Sequence, residues 1–169
     1  SLRIYRSRNQ QMLVAYAQVN RAHALLPAGR FDEARAAIGE AAAYAARPES
    51  PNREMIATLH LYEAQVALAE RRFPDAGARG RQALAEVQAL PAPVKTVQAE
   101  AARTVCLAEA PGGSPARGRP FCAEALQASE SMEDSWYAPN ARLSLAQALL
   151  AGGHGRGAGE GAIARPGRF

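Results

Sequence analysis

Apolar residues along this chain recur at helical rather than strand spacing. Leu13, Ala17, Ala24 and Leu25 share one helical stripe that stops around Pro27 to Gly29, and Phe31, Ala34, Ile38, Ala41 and Ala45 then keep the i, i+3, i+4, i+7 rule up to Pro48. A connection that short forces the two helices to lie antiparallel. The same pattern predicts helices over about 52–70, 73–90, 94–109, 116–131 and 136–151, with breakers at Pro91 to Pro93 and in the PGGSP run that ends at Pro115. Two-residue alternation is absent throughout, so an all-α chain is expected.

The helical pairs repeat. Ala22 matches Ala64, Phe31 matches Phe73, Ala34 matches Ala76 and Ala41 matches Ala83, each pair 42 residues apart. A further step lands on Cys106, Pro115, Gly118 and Ala125, where small residues persist and the aromatic is lost. A fourth unit fits, with LAQALLAGGHG from Leu145 as the matching run, if Ala146 matches Ala22 at a step of 40 from Cys106. A fixed period of this size is the signature of stacked supersecondary units, here one domain over 1–169 with units at about 12–48, 52–91, 94–132 and 136–165. Composition agrees: 40 of the 169 residues are Ala and only 10 are aromatic, so helices approach closely through small side chains. Cys106 and Cys122 occupy the small-residue positions of Ala22 and Ile38; buried small hydrophobes are expected there, rather than a redox pair or metal ligands. Seven of the 14 glycines fall in 152–169, which predicts a short or frayed last helix.

The run AGRFDEA, with Gly29, Phe31, Glu33 and Ala34, followed by Ala41, resembles the turn and second helix of the tetratricopeptide repeat. RRFPDA keeps Phe73 and Ala76 but has Arg71 in place of the glycine. The period exceeds the 34 residues of that repeat, and the chain resembles the long-period arrays found in large bacterial signalling proteins such as LuxR-type transcription regulators. This resemblance implies a right-handed superhelix, an α-solenoid of about four antiparallel hairpins, with the first helix of each unit on the concave face. Positions 42 apart would then form rows: Tyr16, Thr58, Glu100 and Asn140; Asn20, Tyr62, Thr104 and Ser144; His23, Gln65, Leu107 and Gln147. Of the Lys, Arg and Asn set with which some members hold a peptide carboxylate, only Asn20 and Arg103 stand in plausible places, so that specialised role is not implied.

Charge and chemistry narrow the function. The net charge is +4, but 19 of the 20 basic residues are Arg and they are interleaved with Asp and Glu, a solvated mixed surface that argues against a nucleic-acid partner. No run of 18 apolar residues and no secretory signal is visible, which removes a membrane partner and points to the cytoplasm. His23, His60 and His154 share no ligand spacing, and no nucleophile, metal or phosphate-loop motif is present, so no enzyme, no metal and no cofactor is expected. Trp136 is expected to be a packing anchor. The reading is a non-catalytic scaffold for protein or peptide binding within a larger bacterial regulator, with an effector-sensing or DNA-associated regulatory module as the alternative. Homo-oligomers are also compatible, since an uncapped end exposes apolar surface.

Overall fold

In the computed structural model the described residues are 2–47, 51–109 and 115–132, with Pro139, Arg142, Leu143 and Ala146; side chains are described from Gln10 onward, Pro115 excepted. They form six helices, α1 (Leu2–Leu25), α2 (Phe31–Ala45), α3 (Arg53–Ala69), α4 (Phe73–Gln88), α5 (Lys95–Glu109) and α6 (Pro115–Glu130), and no strand occurs among them. α1 begins ten residues ahead of the expected start of the first unit. Trp136, Ser144, His154 and the glycine-rich segment lie outside the described residues.

The end of each first helix explains the hairpins. In unit one the Gly29 amide donates to Leu26 O at 3.1 Å and the Arg30 amide to Leu25 O at 3.1 Å, with Gly29 at φ 69°. Forty-two residues on, Arg71 donates to Leu68 O at 3.0 Å and Arg72 to Ala67 O at 2.8 Å, with Arg71 at φ 60°. Both are six-to-one closures with a left-handed residue just past the helix, which satisfy the last carbonyls and turn the chain sharply. The second helix then opens without a side-chain cap at Arg30 or Arg72. Instead those arginines reach forward to the first-turn acids, Arg30 to Glu33 at 2.6 Å and Arg72 to Asp75 at 2.5 Å. Acids in a first turn also suit the positive end of the helix dipole.

The small residues sit where the period requires. Ala22, Ala64 and Cys106 are fully buried, as are Ala34 and Ala76, and Ala41, Ala83 and Ala125 are at most 1% exposed. Ala34 and Ile38 share a core with Met55, Leu59 and Val66 of the next hairpin, and Leu84 and Val87 share one with Val97 and Ala101 of the hairpin after that. Each second helix therefore packs on the first helix that follows it. Among the described residues the backbones of α1 and α3 and of α3 and α5 approach closely, whereas those of α2, α4 and α6 stay apart from one another. α4 and α6 are linked through side chains such as Gln88 Nε2, which donates to Glu124 Oε1 at 2.7 Å. The hairpins stack in a row that closes on the first-helix side, which makes that side concave.

Cys106 and Cys122 correct one expectation. Both are buried, at 0% and 1% exposure, but they are joined to each other in a disulfide between α5 and α6, with Cα atoms 5.1 Å apart. Two positions that read separately as small core residues face one another across a single hairpin. Gly118, one turn before Cys122, allows the approach: a Cβ there would stand 3.1 Å from Cys106 O.

Candidate functional site

On the concave side, α1, α3 and α5 enclose a pocket of about 140 Å³ lined by His23, Thr58, Leu61, Tyr62, Gln65, Thr96, Val97 and Glu100. Five of the sequence-derived groove residues, His23, Thr58, Tyr62, Gln65 and Glu100, meet here. The row geometry is the cause, because residues 42 apart on parallel neighbouring helices become lateral neighbours. His23 stacks on Tyr62 with ring centroids 5.8 Å apart. Gln65 Nε2 donates to Glu100 Oε2 at 3.3 Å, and Thr58 Oγ1 donates to Glu54 O at 3.0 Å. Arg103 holds Glu100 through Nε at 3.1 Å and Nη2 at 2.8 Å to Oε2, so it orients a wall residue without lining the pocket. The pocket thus presents an aromatic face, an amide and a carboxylate already matched by a guanidinium.

Other expected positions separate from it. Tyr16 is 42% exposed and its hydroxyl accepts from Asn52 Nδ2 at 3.4 Å, outside the pocket lining. Asn20 is exposed on α1, and Leu107 is half-buried. Thr104 corrects the second row: it is fully buried and donates to Glu100 O of its own helix at 2.8 Å, so at α5 this row does not open onto the groove. Asn140 and Gln147 lie outside the described residues. Thr96, Val97 and Leu61 were not foreseen in the lining; Thr96 stands one helical turn before Glu100, and that i−4 relation was the available signal.

A second groove of about 530 Å³ lies on the opposite side, floored by Ile38, Gly39, Val66 and Ala67. It opens because α2 and α4 do not meet across α3. Its arginines are already paired: Arg35 with Glu70 at 2.6 Å, Arg72 with Glu70 at 3.0 Å, and Arg79 with Glu63 at 3.1 Å. Hydrogen bonds from Arg35 and then Arg72 hold the Glu70 carboxyl below the ordinary carboxylate range. Among the described residues no cluster of His, Cys, Asp or Glu suits a metal ion. None of the described helices is long and apolar enough to cross a membrane.

No protein-family model and no curated protein matches the chain. Among solved structures it is similar to the crystal structure of a tetratricopeptide-like protein from Chlorobium tepidum, with a TM-score of 0.69 and 20% identity over 87% of this chain and 97% of that one. The chain has the fold of a tetratricopeptide-like helical repeat.

Proposed function

We propose that this chain is a non-catalytic scaffold that binds a peptide or partner segment along its concave face, as a module of a larger bacterial regulatory protein. The observation that carries the reading is the convergence of His23, Thr58, Tyr62, Gln65 and Glu100 from three successive first helices on one pocket. A cavity of about 140 Å³ is small for a cofactor-sized ligand, which needs roughly 300 Å³ or more. It suits one anchoring side chain of an extended chain whose remainder lies along the rows. The stacked pair offers an amphipathic aromatic surface, and the Gln65 amide offers adaptable hydrogen bonding.

Peptides selected from a displayed random library on the native chain provide the test. Thr58→Arg, which fills a half-exposed position of the pocket, is expected to weaken the selected peptides by about tenfold or more while leaving the thermal melt unchanged. Peptides that bind Thr58→Arg as well as the parent, or a library that yields none, would remove the groove from the account.

A further inference from the structure

The α5 wall of the concave pocket differs in charge from the other two. At the repeat position of Glu100 stand Tyr16 and Thr58, and at that of Arg103 stand Val19 and Leu61, both buried. Two units neutral at both positions are thus followed by one in which a carboxylate enters the row and a guanidinium replaces a buried apolar residue. The two charges belong together. Arg103 Nε donates to Glu100 Oε1 at 3.2 Å and to Oε2 at 3.1 Å, and Nη2 donates to Oε2 at 2.8 Å. Both side chains are largely covered, Glu100 at 17% exposure and Arg103 at 26%. At such a depth a carboxylate stripped of its partner is a strong local charge, far more so than on an open helix face.

Glu100 lines the pocket and Arg103 does not. Among the described lining residues Glu100 is the only carboxylate, and neither Arg nor Lys is present. The apolar lining comes from Leu61 and Val97, both buried in the core that α3 and α5 share, and from the His23–Tyr62 stack. A space of about 140 Å³ is roughly the room of one benzene-sized ring. With Arg103 in place, a basic side chain entering this space meets the guanidinium's charge together with the carboxylate's, and an acidic one meets the carboxylate first. A neutral apolar side chain keeps the gain from burial and surrenders no charge hydration.

We propose that Arg103 sets the specificity of the groove: by neutralising Glu100 it makes the pocket take a neutral apolar anchor, of leucine to phenylalanine size, and reject a basic one. Arg103 is a positioning residue, since it acts through Glu100 without entering the pocket. Without it, a bare carboxylate beside an aromatic face becomes a site for a cation. This specificity rests on the concave face being the peptide-binding face, as proposed above.

The probe is the most enriched library peptide whose binding Thr58→Arg weakens, synthesised with Leu or with Lys at the position most sensitive to alanine and titrated by anisotropy. The native chain is expected to bind the Leu form about tenfold or more tighter than the Lys form. Arg103→Met, which suits a position that carries Val19 and Leu61 in the other units, is expected to reverse that order, and Arg103→Gln to do so independently. Arg103→Lys is expected to restore it. Adding Glu100→Gln to Arg103→Met is expected to abolish the acquired preference for Lys. An Arg103 that only stiffened α5 would, when replaced, weaken both forms alike and leave their ratio unchanged, which overturns the proposal. A preference of the native chain for Lys overturns it as well, while leaving the groove standing. Peptides indifferent to Thr58→Arg, or a library that yields none, would remove the groove and this specificity together.

Discussion

Gly80 and Gly39 sit in equivalent second helices yet face opposite physical situations. A Cβ on Gly80 would stand 2.7 Å from Val105 Cγ2 across the seam to α5, whereas a Cβ on Gly39 meets nothing within 4 Å. Alanine gains about 1 kcal/mol over glycine in a helix interior, and overpacking a tight contact costs about 1–3 kcal/mol. Val105 is β-branched and cannot rotate away freely. Gly39→Ala is therefore expected to raise unfolding free energy by about 1 kcal/mol, and Gly80→Ala to lower it by about 1 kcal/mol, in urea denaturation. His60 supplies a second residue-scale outcome. Burial lowers its pKa from the ordinary 6.5, opposed by Glu63 and helped by Arg79. The unfolded chain takes up that proton first, so stability is complete above about pH 6.5 and falls as pH drops through the folded value. The melting temperature is expected to decline more steeply from about pH 7 to 5 in the parent than in His60→Gln. The buried alanines were legible in the sequence because Ala34 and Ala76 recur with the period. Gly118 read only as a further small residue of that pattern, and the reason for a glycine there, the carbonyl of Cys106 close by, belongs to a neighbouring helix that spacing alone does not reveal.

At the level of elements, the turn after α3 repeats the turn after α1 hydrogen bond for hydrogen bond, although the residue at its pivot changes from Gly29 to Arg71. A left-handed backbone costs a residue with a side chain about 1–2 kcal/mol, and glycine escapes that cost. Arg71→Gly releases this strain while adding some freedom to the unfolded chain, a counter-effect of about 0.4–1 kcal/mol. The net expected change is a stabilisation of up to about 1 kcal/mol, read as a higher urea midpoint at unchanged slope. The turn's position was legible from Phe31 and Phe73 and from the short gaps ahead of them. That Arg71 would adopt the glycine conformation was not, since the two carbonyls it helps to cap impose it from the end of α3. The concave pocket divides in the same way. Its rows followed from the period, but Thr104 is fully buried and bonded to Glu100 O of its own helix, and which positions of a row become covered is a packing property that spacing alone does not reveal.

For the whole molecule, the pattern of contacts implies that stability is local and is passed between neighbours. Among the described residues, α5 and α6 share contacts with each other and α5 with α3 and α4, but neither reaches α1 or α2. The Cys106–Cys122 bond closes a span of 16 residues inside the third hairpin. Opening a loop of that size releases about 3 kcal/mol of entropic constraint on the unfolded chain. Disulfides persist in oxidising compartments and open in reducing ones, so the third hairpin's stability follows its redox surroundings. In a protein with one closed core, such a loss would spread through every helix. In a row of hairpins coupled only to neighbours, it decays along the row. Hydrogen exchange with and without reductant distinguishes the two. Amide protection in α5 and α6 is expected to fall most, in α3 and α4 less, and in α1 and α2 not measurably, with Cys106→Ser/Cys122→Ser reproducing the reduced profile. A uniform fall across all six helices would mean that the hairpins unfold as one body rather than as units coupled only to their neighbours.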